Sequence, residues 1–249
     1  TGTLKATRTQ LTATDSHTLI NRGLIDAGTN RIESAIIQNL GTGRIYGDHL
    51  AIQADTLDNL AEGDHAPVIA ARERLDLGVG ILRNQDHALL FSAGDFAIGG
   101  ALDGSNRAIG RAAHVLNSSA TVEAMGNLSL AAGRIDNLDA HFSTTVARVS
   151  TEDKLEYSFG GLPYRYDISE VRFNHVLKDS VLNLVLLKEY DDGRWTSGEW
   201  FNEYRFIRTV DETQVVSTDP GRILAGGNLL VEGDHLTNDK SRIIAGGRL

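Results

Sequence analysis

Carboxylates, histidines and aromatic side chains are the groups in this 249-residue chain that could do chemistry, and their spacing decides which. Acids recur in Gly-Asp pairs at Asp48, Asp95 and Asp234, with Asn127 and Asn228 in related places. Glycoside hydrolysis needs two carboxyl groups held about 5–9.5 Å apart. An acid in a Gly-Asp turn caps the local backbone instead, so a turn role is expected for all three. Histidine stands at 17, 49, 65, 87, 114, 141, 175 and 235, and no pair has a metal-ligand spacing such as His-Glu-x-x-His. His49, His65, His87 and His235 fall near turn signals and are expected in solvent. Neither a Gly-x-Ser-x-Gly nucleophile elbow nor a Gly-rich phosphate loop occurs. Glu189 with Asp191 and Asp192 could offer oxygens to Ca²⁺, but one short loop supplies too few ligands, and a hairpin turn is the expectation. No catalytic residue, cofactor or metal is expected, and the chain reads as a non-enzyme.

The aromatic residues point elsewhere. Tyr190-Asp-Asp-Gly-Arg-Trp-Thr-Ser-Gly-Glu-Trp-Phe201 puts two tryptophans beside a polar turn. Tyr, Trp and Arg are enriched where binding energy concentrates, so Tyr190, Arg194, Trp195 and Trp200 are the candidate partner-binding residues. Most of the other aromatic side chains nearby, such as Tyr157, Tyr164, Tyr166, Phe201 and Tyr204, are expected to build a small core.

The elements that must position these residues come from a repeat. In Arg222-Ile-Leu-Ala-Gly-Gly-Asn-Leu-Leu-Val-Glu-Gly-Asp-His-Leu-Thr-Asn238, aliphatic residues alternate with small or polar ones, with Gly, Asn and Asp between the runs. The leading aliphatic position recurs at Leu4, Ile25, Ile45, Val68, Leu90, Val122, Ile223 and Ile243. Five of the seven steps are near 20 residues, and the other two, after Leu90 and Val122, are longer. A fixed period near 20 marks a solenoid and is too short for a helix pair. Period-2 alternation, as in Leu50/Ile52, Leu75/Leu77, Phe96/Ile98, Leu128/Leu130 and Leu229/Val231, marks strands. Three short strands and three turns per unit make one coil of a right-handed parallel β-helix. Ile52, Leu130 and Val231 share one slot and are expected to point inward.

A second marker is an Asn two residues after an apolar one: Leu19/Asn21, Ile37/Asn39, Leu57/Asn59, Leu82/Asn84, Ile135/Asn137 and Leu236/Asn238. Asn tolerates turn geometry, and stacked amides form ladders. The coil at Leu102/Gly104 is read as the one lacking it. Residues 104–119 are read as a bulged loop or one helical turn at Arg111–Leu116, and Pro67 as a turn residue.

These units resemble the haemagglutinin repeats of filamentous haemagglutinin and of related two-partner-secreted exoproteins, including the toxin-delivery proteins of contact-dependent growth inhibition. Ile223-Leu-Ala-Gly-Gly-Asn-Leu229 and Ala131-Ala-Gly-Arg-Ile-Asp-Asn-Leu138 carry the likeness. It covers roughly residues 1–138 and 218–249. The resemblance implies a secreted or bacterial cell-surface protein that is exported by an outer-membrane partner and serves in adhesion or toxin delivery.

Between the two repeat blocks the composition changes. Twelve of the fifteen aromatic residues lie between Phe142 and Phe206, against only Gly160, Gly161, Gly193 and Gly198 of the 26 glycines in residues 139–217. An aromatic-rich segment can bury its own small core. Three parts follow: coils over 1–138, an extra-helical and mostly antiparallel β excursion over 139–217, and coils resumed over 218–249. The excursion is expected to leave the solenoid flank with its ends close together. Asp191-Asp-Gly-Arg194 reads as a hairpin turn, and Ser169–Lys178 as a strand or a short helix.

The chain has no cysteine and a formal charge of −9. Disulfides contribute nothing, and an acidic chain without basic runs is a poor partner for nucleic acid or anionic lipid. No apolar run reaches the ~18 residues of a membrane helix. Both ends fall within repeats, so the chain reads as an excerpt from a longer array, expected as a monomer. The leading expectation is a rigid stalk or adhesin segment that touches a target-cell receptor or glycan through the excursion. The alternative is a carbohydrate-binding or polysaccharide-degrading β-helix protein.

Overall fold

A computed structural model describes residues 2–13 and 17–249. The chain divides into two compact units: residues 1–143 with 216–249, and residues 144–215.

The first unit is a parallel β-helix. One face stacks eight strands in the order Thr3–Thr12, Leu24–Glu33, Arg44–Leu60, Val68–Gln85, Leu89–Ser92, Thr121–Ala124, Arg222–Ala225 and Arg242–Ala245. Every pairing along this face is parallel. The register aligns Ile25, Ile45, Ile69, Leu90, Val122, Ile223 and Ile243 into an inward column. The sequence marker Val68 therefore lies one residue out of phase. Val68 pairs with Arg44 and is half-buried, whereas Ile69 is fully buried.

The second face stacks Ile32, Ile52, Leu77, Ile98, Leu130 and Val231. The third stacks Leu19, Ile37, Leu57, Leu82, Val115, Ile135 and Leu236. Ile52 and Leu130 are buried as the alternation predicts, and Val231 is partly buried against the same core. Burying each such side chain contributes about 1.5–3 kcal/mol. No coil can do this alone, because its apolar interior is covered above and below only by the next coils.

An asparagine ladder closes the third face. Seven side chains are in register: Asn21, Asn39, Asn59, Asn84, Asn117, Asn137 and Asn238. Each Nδ2 donates to the Oδ1 of the next, at 2.8–2.9 Å throughout. The ladder amides also donate to backbone carbonyls, for example Asn59 to Leu89 at 3.2 Å and Asn84 to Thr121 at 3.0 Å. Glycine is required beside the ladder: a Cβ on Gly43 would lie 2.3 Å from Asn39 Oδ1, and one on Gly221 would lie 2.6 Å from Asn137 Oδ1.

This ladder corrects the reading of residues 99–119. Its fifth member is Asn117, two residues after the buried Val115, and Leu102/Gly104 is not a coil position. Ala101–Leu102 and Ala108–Ile109 form an antiparallel hairpin. Asp103 Oδ1 closes its loop by accepting from the Ser105 and Arg107 amides at 2.8 and 2.9 Å. The expected helical turn at Arg111–Leu116 is instead strand, Ala112–Ser118, inserted in register between the Ile81–Gln85 and Arg134–Leu138 segments. The long step after Leu90 is one ordinary coil interrupted by a hairpin at a corner.

The second long step, after Val122, holds the other unit. Its ends are tied together on the solenoid. Ser143 Oγ and Ser217 Oγ are 2.7 Å apart, and Asp139 Oδ2 accepts from Thr218 Oγ1 and the Asp219 amide, both at 2.8 Å.

Residues 144–215 form two small three-stranded sheets. Ser143–Phe159 lies between Tyr166–Asp167 and Phe201–Ser217. The other sheet is an antiparallel meander of Val171–Lys178, Val181–Glu189 and Trp195–Gly198. Ser169–Lys178 is thus a strand led by a single 3₁₀ turn at Ile168–Glu170, capped by Asp167. The core is Tyr157, Phe159, Val171 and Leu186, with Leu155, Tyr166 and Phe201 packed on it. Tyr157 meets Phe173 edge-on with ring centroids 5.0 Å apart.

Candidate functional site

The three Gly-Asp carboxylates of the solenoid are engaged structurally. Asp48 pairs with Arg72, which also holds Asp26, and Asp234 pairs with Arg111. Asp95 Oδ1 accepts from the Asn127 amide one coil on, at 2.9 Å. Asn127 Oδ1 does the same for Asn228, and Asn228 Oδ1 for Arg248. These Gly-Asp and Gly-Asn positions form a second corner ladder, capping the neighbouring coil rather than their own.

Two histidines, His49 and His114, bond buried carboxylates. His49 is partly buried rather than free in solvent, and its Nε2 lies 3.0 Å from Asp76 Oδ2. Arg74 donates to both oxygens of Asp76, at 2.7 and 3.1 Å, and the Ala108 amide donates to Oδ1 at 3.0 Å. His114 and Arg134 both bond Asp136 Oδ2, at 2.8 and 2.6 Å. In both, the His stands opposite the Arg in the parallel register. Burial works to raise the Asp76 carboxyl pKa. The bonds from His49 and Ala108 and the charge of Arg74 outweigh it and hold the group below its ordinary range. With donors on both of its oxygens, Asp76 anchors the 101–109 hairpin through the Ala108 amide. His65, His87 and His235 are exposed. Among the described residues no group of three or more His, Asp and Glu is arranged to hold a metal, and no helix is long and apolar enough to cross a membrane.

The open site lies in the 144–215 unit, where the Val181–Glu189 and Trp195–Gly198 strands meet. The hairpin turn at 191–194 forms as its Asp-Asp-Gly-Arg sequence predicts. Gly193 adopts φ 79°, and the amides of Tyr190 and Gly193 bond across the turn at 2.9 and 2.8 Å. A cleft of about 390 Å³ opens beside this turn. Glu189 stands opposite Trp195 in the antiparallel register, and Arg172 opposite Leu187, which pairs with Ser197. Alternation therefore puts Arg172, Leu187, Glu189 and Trp195 on one face.

The wall of the cleft is pre-organised. Lys188 Nζ bonds Glu170 Oε1 at 3.0 Å and sits 5.4 Å from the Tyr166 ring centroid. Tyr166 and Tyr190 share a hydroxyl–hydroxyl bond of 3.2 Å. That bond, with burial, pushes the Tyr166 pKa up to about 12. The same bond and one from Thr196 lower that of Tyr190.

Of the four residues singled out in the sequence, the cleft brings together Tyr190 and Trp195. Trp195 is half exposed, with the Arg172 guanidinium 5.9 Å from its ring centroid. Arg194 is not in the cleft; it pairs with Asp192 at 2.6 Å, and its guanidinium lies 5.8 Å from the Tyr190 ring centroid. Trp200 lies outside the cleft and is 83% exposed, the most exposed large apolar side chain of the chain's described residues. Arg172 was missed because it belongs to a strand some twenty residues away in sequence. Only the pairing of Val171–Lys178 with Val181–Glu189 places it there.

No protein-family model matches the chain, and no curated protein or solved structure is similar to it.

Proposed function

We propose that the chain is a section of the rigid stalk of a secreted bacterial surface protein of the filamentous haemagglutinin kind, and that residues 144–215 make its contact with a target cell. What carries this reading is the contrast between the two units. The solenoid has continuous aliphatic columns and a ladder of Asn amides, a structure suited to stiffness and length. The inserted unit builds its core on Tyr157 and Phe159, with Tyr166 and Phe201 packed against them, yet still leaves Trp195, Trp200 and Tyr164 exposed. Exposed aromatic residues beside polar groups are the usual make-up of recognition surfaces. Export through an outer-membrane partner, a place on the cell surface and use in adhesion or toxin delivery belong to this proposal, as does a monomeric state. So does the absence of catalysis.

The second reading, a carbohydrate-binding β-helix protein, is favoured by one observation, the polar cleft beside Trp195. A polysaccharide-degrading role is not supported by the Gly-Asp carboxylates Asp48, Asp95 and Asp234, which are held in ion pairs and corner caps. The test is saturable binding of the fluorescently labelled chain to a panel of Gram-negative cells. Saturation on at least one cell type is expected. Non-saturating background on every one would end the adhesin reading.

A further inference from the structure

The cleft beside Trp195 has a charge pattern that selects among ligands. Lys188 and Glu170 neutralise each other across its wall. Arg172, Glu189 and Asp191 also line it, all exposed, and none has an ion-pair partner among the described residues. A cationic ligand would meet the Arg172 guanidinium, 5.9 Å from the indole centroid. An anionic ligand would meet two free carboxylates. A ligand with both hydroxyl donors and acceptors, and an apolar face for the half-exposed indole, suits all four groups.

We infer that this cleft binds a neutral saccharide, with one pyranose ring stacked on Trp195, Arg172 donating to ring or hydroxyl oxygens, and Glu189 and Asp191 accepting from hydroxyls. The volume, about 390 Å³, falls within the range of small-ligand sites. The pre-formed wall matters to affinity: the Tyr166–Tyr190 and Lys188–Glu170 pairs fix the backbone from which the free groups project, so less freedom is lost on binding. Trp200 has no part in this site. The inference rests on the reading that residues 144–215 recognise a target and names the chemistry of what they recognise.

The test uses the whole chain carrying Trp200→Phe, so that Trp195 is the only tryptophan left. Its fluorescence is titrated with cellobiose, lactose, maltose and chitobiose, and separately with N-acetylneuraminic acid and choline. A saturable shift is expected with at least one neutral disaccharide, with the acid and the cation at least tenfold weaker. Arg172→Met, which keeps the aliphatic length, should weaken binding tenfold or more at an unchanged circular dichroism spectrum. Calorimetry on Trp195→Ala should show no binding. The inference is overturned by silence with all four neutral sugars, by a preference for the acid or the cation, or by full affinity in Arg172→Met. Cell binding that persists in a Trp195→Ala/Arg172→Met chain would sink the saccharide site and leave the adhesin reading intact. Sugar binding by a chain that adheres to no cell would do the reverse.

Discussion

Asn84 sits at the middle of the ladder with no solvent exposure. Its Nδ2 donates to Asn117 Oδ1 at 2.9 Å and to the carbonyls of Thr121 and Ala88 at 3.0 and 3.3 Å, and its Oδ1 accepts from Asn59 at 2.8 Å. Asn84→Ala removes two ladder bonds. Asn59 keeps its bond to the Leu89 carbonyl, but Asn117 Oδ1 loses its only side-chain donor. One buried acceptor without a partner costs about 1–3 kcal/mol, and the small cavity adds to it, so a loss of about 2–4 kcal/mol is expected. Asn84→Asp keeps the shape but points a carboxylate at three oxygens, and a buried charge without compensation costs about 3–5 kcal/mol. Asn202→Asp, on an exposed strand position with no side-chain bond, is the control and should change stability by less than about 0.5 kcal/mol. Guanidinium unfolding followed by circular dichroism measures the totals. Backbone hydrogen exchange should show the coils next to Asn84 opening first, because coupling in a solenoid is between neighbours. An Asn84→Asp chain as stable as the parent at pH 7 would refute the ladder as a source of stability.

Other outcomes follow from the same geometry. Ile52→Asp buries an unpaired charge and should unfold the adjoining coils, whereas Val231→Asp, only partly buried, should lower the melting temperature by clearly less. Equal effects would show that the end coils are better covered than their burial indicates. The folded Asp76 carboxyl titrates below its ordinary 3.8, so as pH falls the unfolded chain takes up the proton first. The stability it contributes is complete above the ordinary value and is lost as pH falls through the depressed one. Asp76→Asn should flatten that acid limb of the stability curve, and an unchanged limb would assign it to other groups. Replacing residues 144–215 with a short Gly-Ser linker should leave a cooperative β-rich solenoid, since Ser143 and Ser217 already meet at 2.7 Å and closure entropy grows only logarithmically with loop length. Collapse of that chain would show that the insertion is needed for folding.

The coil was legible because its two signals are local and repeated. Alternation sets which side chains face in, and the Asn offset sets the corner, so Ile52, Leu130 and six of the seven ladder residues could be named without coordinates. The seventh, Asn117, was hidden by the 101–109 hairpin, which borrows Leu102 and Gly104 as a false copy of the motif. Phase slipped by one residue at Val68 because Val68 and Ile69 are equally aliphatic, and only pairing with Arg44 and Ile45 tells them apart. The His49–Asp76 and His114–Asp136 clusters were out of reach for a different reason: each joins adjacent coils 22 or 27 residues apart. The same holds for the cleft. Tyr190 and Trp195 flank a turn that the sequence announces, while Arg172 arrives by strand pairing alone.

The division of labour between scaffold and insertion is tested most directly by flow cytometry of cell binding with two labelled proteins, the whole chain and the chain with 144–215 replaced by a Gly-Ser linker, both first shown folded by circular dichroism. Saturable binding by the whole chain, with at least a tenfold loss in the replacement, is the predicted result. Equal binding by the two would contradict it and place recognition on the solenoid.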